Sequence, residues 1–560
     1  MLRFVVFDQD GPASDFAIRH AHLFGTDDVP IQGEVRFEGG LIVCDKTAKE
    51  AAGLSLQFEP GAITADDATV EFAPGLLTLR TCLLPSSEEP YLLALELARH
   101  RIMLFLNKLE DWQLVDLPTD HPVLVLFERA RATFTRALVA QREPNDEHGN
   151  RGGYAWHADQ LSRASLTLAI EASEQLAKLY AERMVEQRAT NAIYRKAVEI
   201  YTAAASEAPP ADVPIIVPST PGVVMPGRPQ VGVSVGPQQF DENLQRVLSG
   251  SMDFITMPMR WRDMEPKEGS YSFGPTDRWI EWAVRKAKLP VTAGPVIDFR
   301  RSCIPEWIYI WENDYETLRD VVYEHMKHIV TRYRRTVKRW TVASGLHVNT
   351  NFTFSFDQMM DLTRVCVLMV RKLHPSARVQ LEITQPWGEY YSYNRRSRPP
   401  MLYAEMVSQA GISVDSYALR LQCGSPSEGL STRDLASVSD LLDRYAQRLE
   451  KPISVTCVGA PSKASAAQAD ALEPGYWRSP WSEPQQADWA KAFLEICAGK
   501  PYVHGVCWQD VIDHDPPESS PEMPFGGLLG ADGMPKPVAG AVAGLRKQMR
   551  EMAASAKSAV

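Results

Sequence analysis

Paired cysteines, clustered positive charge and long apolar runs are all missing from this 560-residue chain. Its eight cysteines (44, 82, 303, 366, 423, 457, 497 and 507) are scattered, with no Cys-x-x-Cys spacing. That pattern excludes a zinc ribbon and a disulfide framework, and reads as buried thiols in a reducing compartment. No metal site and no cofactor are expected. Acidic residues outnumber basic ones, 70 to 59, for a formal net charge of -11. Neutralising phosphates takes clustered Lys and Arg, so neither nucleic acid nor a membrane surface is an expected partner. The short basic runs Arg332-Tyr333-Arg334-Arg335 and Arg395-Arg396 read as solvated faces. No stretch approaches the roughly 20 apolar residues that span a bilayer. Met1-Leu2-Arg3-Phe4-Val5-Val6-Phe7-Asp8 lacks the apolar core of an export signal and reads as a strand. The expected location is cytoplasmic.

What is present is ordinary globular composition, 45% hydrophobic and 23% charged, in a chain long enough for two or three domains. Residues 1–88 carry short β-rich runs, among them Val70-Glu71-Phe72 and Leu76-Leu77-Thr78-Leu79-Arg80, broken by turns such as Glu38-Gly39-Gly40. They read as a β-sandwich-like domain. Residues 89–206 change texture. Helices are expected over Tyr91–Trp112, from Asp120-His121-Pro122 to about Gln141, and over Tyr154–Ser206. Along the third, Leu161, Ala164, Leu168, Ala172, Leu176 and Leu179 recur at steps of three and four, which marks one buried stripe. This helical region is either a packed spacer or a surface through which the chain forms a homo-oligomer.

Seven prolines between Pro209 and Pro229 remove backbone donors and fix φ, so residues 207–230 read as an extended linker. Residues 231–548 then alternate strand and helix. The expected strands are Val231–Val235, Phe254–Trp261, Pro290–Asp298, Val337–Gly345, Val379–Thr384, Ala418–Cys423, Ile453–Gly459 and Val503–Asp510. Eight β-then-α units fit a (β/α)8 TIM barrel, in which chemistry gathers at the C-terminal strand ends. Residues 549–560 form a tail. The whole chain is thus a multidomain protein: β-sandwich, α-helical spacer and C-terminal barrel.

Several barrel segments share the order and spacing of a known family. They are Phe254-Ile255-Thr256-Met257-Pro258-Met259-Arg260-Trp261, then Met264-Glu265-Pro266-Lys267-Glu268-Gly269, Ile304-Pro305-Glu306-Trp307, and Gly527-Leu528-Leu529 before Pro535-Lys536-Pro537. With Trp340-Thr341-Val342-Ala343-Ser344-Gly345 and Lys451-Pro452-Ile453-Ser454-Val455-Thr456-Cys457, this region resembles glycoside hydrolase family 10, the family of endo-1,4-β-xylanases. The resemblance implies an O-glycosyl hydrolase barrel whose partner is an oligo- or polysaccharide. It also implies an acid/base glutamate at position 345 and a nucleophilic glutamate at position 457. Gly345 and Cys457 stand there instead. Against the family's sugar-contacting pattern, Met257, Arg260, Asp298-Phe299, Arg420 and Gln422 are departures, whereas Trp508 matches a sugar-stacking Trp.

A retaining glycosidase needs two carboxyl groups about 5–5.5 Å apart, so the ordinary mechanism has lost both groups. Asp298, Glu382 and Asp510 are the candidate catalytic carboxylates near strand ends. Two have a structural alternative: Asp298 pairing Arg300, Arg301 or Arg260, and Glu382 in a buried ion pair; Asp510 lies near the rim with Asp513 and His514, a grouping whose spacing is not diagnostic of a metal site. Cys457 is either a nucleophile activated by a positive neighbour or a small buried thiol. Candidate substrate-binding residues are Arg260, His347, Asn349, Trp387, Arg420, Gln422, Trp477 and Trp508. The aromatic segments Pro386–Tyr393 and Gly475-Tyr476-Trp477-Arg478 read as cleft walls, and Trp261 and Trp307 as barrel plugs. Two functions follow. One is an atypical hydrolase recognising, and cleaving with relocated carboxylates, a β-linked xylan-like glycan. The alternative is a non-catalytic pseudoenzyme that binds glycan or serves as an assembly scaffold.

Overall fold

The fold is that of a computed structural model, which describes all residues except 9, 48, 62–63, 66–67, 70–72, 143–148, 206–208, 211–212, 218–221, 464–472, 515–521 and 559–560. The expected strand Val70-Glu71-Phe72 lies outside the described residues.

The N-terminal part holds two main sheets. In one, Leu2–Val5 runs antiparallel to Leu41–Lys46 and parallel to Tyr91–Leu92, with Gly33–Glu38 outermost. The other orders Tyr476–Trp477, Gly75–Arg80, Gly53–Phe58, His22–Phe24 and Pro30–Ile31, all antiparallel. Leu54, Leu56 and Phe58 alternate with Ser55 and Gln57, a pattern that predicts one dry and one wet face. Both faces are buried. The polar face lies against the barrel, where Gln57 Nε2 donates to Glu473 O at 2.9 Å and Thr78 N to Thr432 O at 2.8 Å. The barrel supplies the sheet's outermost strand, Tyr476–Trp477, so residues 1–88 share their second sheet with residues far along the chain.

The first two helices are Leu93–Asp111 and Pro122–Ala140, the latter capped by His121 Nδ1 accepting from Val123 N. Pro90 precedes the short strand Tyr91–Leu92, and not a helical first turn. The long helix Trp156–Ala189 buries its predicted stripe among Leu161, Ala164, Leu168, Ala172 and Leu176. It does not continue to residue 206. Asn191 adopts a left-handed φ of 60° and accepts from Gly227 N at 2.8 Å, which ends one helix before Ala192–Ala205 begins. Local periodicity carried no sign of that tertiary contact.

The barrel strands are Gln230–Ser234, Phe254–Met257, a third in two pieces (Val291–Ala293 and Ile297–Asp298), Arg339–Ser344, Arg378–Ile383, Ser416–Gln422, Ile453–Gly459 and Val503–Trp508. All neighbours are parallel, and the first pairs with the eighth, closing the ring. The break in the third strand falls at Gly294, at φ +118°, where a Cβ would lie 2.2 Å from Thr341 O. Outward-facing Trp340, Val342, Val379, Leu381 and Ile383 form the apolar layer under the helices. The inward row is polar: Thr256, Thr292, Thr341, Gln380, Glu382, Ser454 and Thr456. Such barrels more often fill this space with branched apolar residues. No described helix is long and apolar enough to cross a membrane.

Candidate functional site

Two cavities meet at the C-terminal end of the barrel. One, of about 150 Å³, sinks into the polar lumen between Thr256, Glu382, Thr456, Cys457 and Asp510. The other, of about 460 Å³, opens between the segments that follow strands three to six, over Phe299, Gly345, Asn349, Asn351, Phe352, Phe354 and Gln385. Arg300, Arg420 and Glu522 line both and form the wall between them. Glu522 bridges the two guanidinium groups, one oxygen on Arg300 Nη1 and the other on Arg420 Nη2. Burial opposes ionisation of Glu522, but Arg300 and Arg420 outweigh it and bring its carboxyl down to about 2. It is an anion at any ordinary pH and cannot serve as a general acid.

Asp298 ends the third strand and is held by the residue two positions on. Arg300 Nε reaches Asp298 Oδ2 at 2.9 Å, Nη2 reaches it at 2.5 Å, and Arg300 N donates to Oδ1 at 3.0 Å. Burial works against the Arg300 charge, yet Asp298 and Glu522 raise its pKa well above the usual arginine value. Glu382, on the fifth strand, accepts from Ser344 Oγ at 2.8 Å and Thr456 Oγ1 at 2.6 Å. Its partners are hydroxyls and not the arginine expected for a buried ion pair. Asp510 faces the lumen cavity and pairs with His514 at 3.4 Å. The three candidate carboxylates therefore line one cavity; Asp298 and Glu382 are held by hydrogen bonds, whereas Asp510 Oδ2 has no hydrogen-bond partner among the described residues.

At the ends of the fourth and seventh strands no carboxylate is present. Gly345 has φ +65°, and a Cβ there would lie 3.0 Å from Thr384 Oγ1. Cys457 has φ +50°. Burial pushes its thiol well above the usual value, against the weaker pull of Arg420, so it is a neutral thiol and not an activated nucleophile. Among the described residues no cluster of three or more His, Cys, Asp or Glu is arranged to hold a metal ion.

The predicted sugar-contacting residues divide. Arg260 lines the lumen cavity and pairs with Asp263 at 2.7 Å. Arg420 forms the wall, its Nε donating to Gln422 Oε1 at 3.2 Å. Asn349 lines the outer cavity, but its amide is spent on backbone, with Phe354 N and O and Arg396 O as partners. His347 is wholly buried against Tyr403, its Nε2 3.0 Å from Thr384 O; burial lowers its pKa to about 4.

The tryptophans lie elsewhere. Trp508 is buried and donates to Gly526 O at 2.8 Å. Trp387 is buried between the guanidinium groups of Arg433 and Arg80, at 4.1 and 5.5 Å from its ring. Trp477 is buried in the N-terminal sheet and donates to Glu174 Oε1 at 2.8 Å. Trp387 and Trp477 fasten the barrel to the preceding region, which corrects the expectation that these two rings wall a cleft. Trp261 and Trp307 pack edge to face, both bonded to Glu265.

Sequence reasoning missed Glu522, which lies in a segment with no strand-end position to single it out. It also missed Phe352 and Phe354, which pack edge to face with Phe299 at ring separations of 5.0 and 5.1 Å to floor the outer cavity. The run Asn351-Phe352-Thr353-Phe354 just past the fourth strand was the available sign.

Comparison with known proteins gives the barrel its relatives. The model of glycosyl hydrolase family 10 matches residues 225–355, which hold strands one to four. Endo-1,4-beta-xylanase B of Humicola insolens is 26% identical over 120 residues, 21% of this chain; the match spans 32% of that relative. Among solved structures, native xylanase 10B of Thermotoga maritima has a TM-score of 0.45 at 17% identity, covering 58% of this chain and 97% of its own. A family 10 endoxylanase from a sugarcane soil metagenome has a TM-score of 0.46 at 14% identity, covering 57% and 97%. With the closed eight-stranded ring, the matched segment makes the C-terminal part a divergent family 10-like barrel.

Proposed function

We propose that this divergent family 10-like barrel binds a β-linked glycan at its mouth and does not cleave it by the two-glutamate route. The observation that carries the reading is the pair Gly345 and Cys457 at the ends of strands four and seven, with Asp298, Glu382 and Glu522 already hydrogen-bonded among the described residues. A retaining mechanism needs one free nucleophilic carboxylate and one protonated partner about 5–5.5 Å away. Glu522 is ionised between two arginines, and Cys457 is a neutral thiol.

The outer cavity supports binding. Its floor of phenylalanines with amides at the rim is the mix of apolar surface and few polar groups that orients a small ligand. The Gln385 side-chain oxygen there is buried without a partner among the described residues, an acceptor open to a ligand hydroxyl.

The test is to incubate the protein with aryl β-xylosides and xylo-oligosaccharides, following product release and binding heat together. Binding without turnover is expected. Turnover abolished by Glu382→Gln or Asp298→Asn overturns the reading in favour of relocated carboxylates. Neither binding nor turnover overturns it in favour of an assembly scaffold, a reading favoured by the buried ion pairs Arg101–Asp434 and Lys108–Asp443 that fasten the helical region to the barrel.

A further inference from the structure

Arginines gather at the barrel mouth of a chain whose formal net charge is -11. Arg301 is exposed and lines the outer cavity. Arg395 and Arg396 are exposed on the segment after strand five, and Arg396 O accepts from Asn349, a residue of the same cavity wall. None of these three has an ion-pair partner among the described residues. The acidic residue at this rim, Glu428, accepts from the Tyr393 hydroxyl. Deeper in, Arg300 and Arg420 grip the Glu522 carboxylate between them. A buried guanidinium group, Arg420, and a half-buried one, Arg300, closed on one carboxylate form a fitted carboxylate site, and here a side chain of the same protein occupies it.

We infer that the mouth takes an anionic glycan, an oligosaccharide carrying uronic-acid carboxylates. The exposed arginines attract it, and one uronate carboxylate replaces Glu522 between Arg300 and Arg420. Unpaired rim charges raise the local concentration of an oppositely charged ligand, and charge-assisted bonds at the base give the specificity. The inference rests on the glycan-binding reading and deepens it by naming the substituent that is recognised.

A matched ligand pair tests it. A β-1,4-linked oligoglucuronate and a xylo-oligosaccharide of equal length differ only in the carboxylate on C5 of each ring. Calorimetry on the full chain should show the oligoglucuronate binding at least about ten-fold tighter, a gap that narrows as salt screens the rim. Glu522→Gln should widen the preference by removing the competing negative charge from between Arg300 and Arg420. The double variant R301Q/R396Q, at exposed positions where folding is not at risk, should reduce it and flatten its dependence on salt, leaving the part that the base supplies. Equal affinity for the two ligands overturns this inference and leaves the glycan-binding reading intact. Binding of neither overturns both. Competition by citrate or inorganic phosphate as strong as by the oligoglucuronate overturns the assignment to a uronate, because the site would then take any small anion.

Discussion

The indole N–H of Trp477, in the segment after the seventh barrel strand, donates to Glu174 Oε1 in the long helix at 2.8 Å, across 303 residues of chain. Glu174 also accepts from Leu435 N at 3.0 Å and pairs with Arg478 at 3.0 Å. One buried carboxylate thus gathers the helical region, a barrel helix and a barrel segment. Trp477→Phe removes the donor and replaces the indole by a smaller ring. The expected loss is about 2 kcal/mol of stability for the hydrogen bond to a charged group, and more for the cavity that the smaller ring leaves. Urea denaturation measures it, and glycan affinity should be unchanged because this ring is remote from the mouth.

Arg101 and Asp434 make the same seam more costly to break. Two parallel bonds of 2.8 and 2.6 Å join them, both side chains are almost wholly buried, and Asp434 also caps the helix Leu435–Leu449. Removing one partner leaves an unpaired charge in the interior. Arg101→Met is expected to destabilise by about 3–5 kcal/mol. Paired replacement by apolar residues should lose much less, which double-mutant denaturation reads directly. Burial opposes the Asp434 charge, yet Arg101 holds its pKa below the usual carboxylate value. Its contribution is therefore present at neutral pH and is lost as acid protonates it.

These seams mark the limit of what the sequence discloses. All eight barrel strands were legible, because each is a short apolar run bounded by turn residues and followed by a helical period. The chemistry at positions 345 and 457 was legible too, since a strand end with no carboxylate is a local fact. The destinations of Trp387 and Trp477 were not. An aromatic segment has the same composition whether it lines a cleft or clasps another sheet, and only the tertiary partners, Arg80, Arg433 and Glu174, decide. Glu522 was hidden for a similar reason: its role depends on two arginines 222 and 102 residues away.

Acid sensitivity should begin well above the carboxylate range. His22 is buried with neither ring nitrogen bonded among the described residues; burial, opposed by Glu389 and reinforced by Arg433 and Arg80, lowers its pKa from 6.5 to about 3. Burial lowers His347 to about 4. A folded pKa below the unfolded one means that the unfolded chain binds the proton first. Stability is then complete above about 6.5 and falls as pH drops from there toward 4. Each group contributes about 3 kcal/mol of loss by pH 4, at 1.36 kcal/mol per pKa unit. Thermal unfolding across that range should show the decline. His22→Leu should flatten part of it while leaving stability near neutral pH almost unchanged.

Restoring the two glutamates should not restore hydrolysis. At Gly345 the backbone has φ +65°, in the left-handed region where a side chain is strained, and the first added carbon meets Thr384 Oγ1 at 3.0 Å. Gly345→Ala alone is expected to destabilise by about 1–2 kcal/mol, read as a lower unfolding midpoint. Gly345→Glu adds a carboxylate beside Arg300 and Arg420, which line the same cavity and already hold Glu522. An added anion there is drawn into the ion-pair network and kept deprotonated, the wrong state for an acid that must protonate a leaving oxygen. Cys457→Glu faces the same Arg420 and requires φ near +50°. The double variant G345E/C457E should therefore fold less stably and release no product from aryl β-xylosides. Activity in it would mean that the lost glutamates alone silenced the barrel, and that the arginine-bound wall between the cavities is no barrier to chemistry.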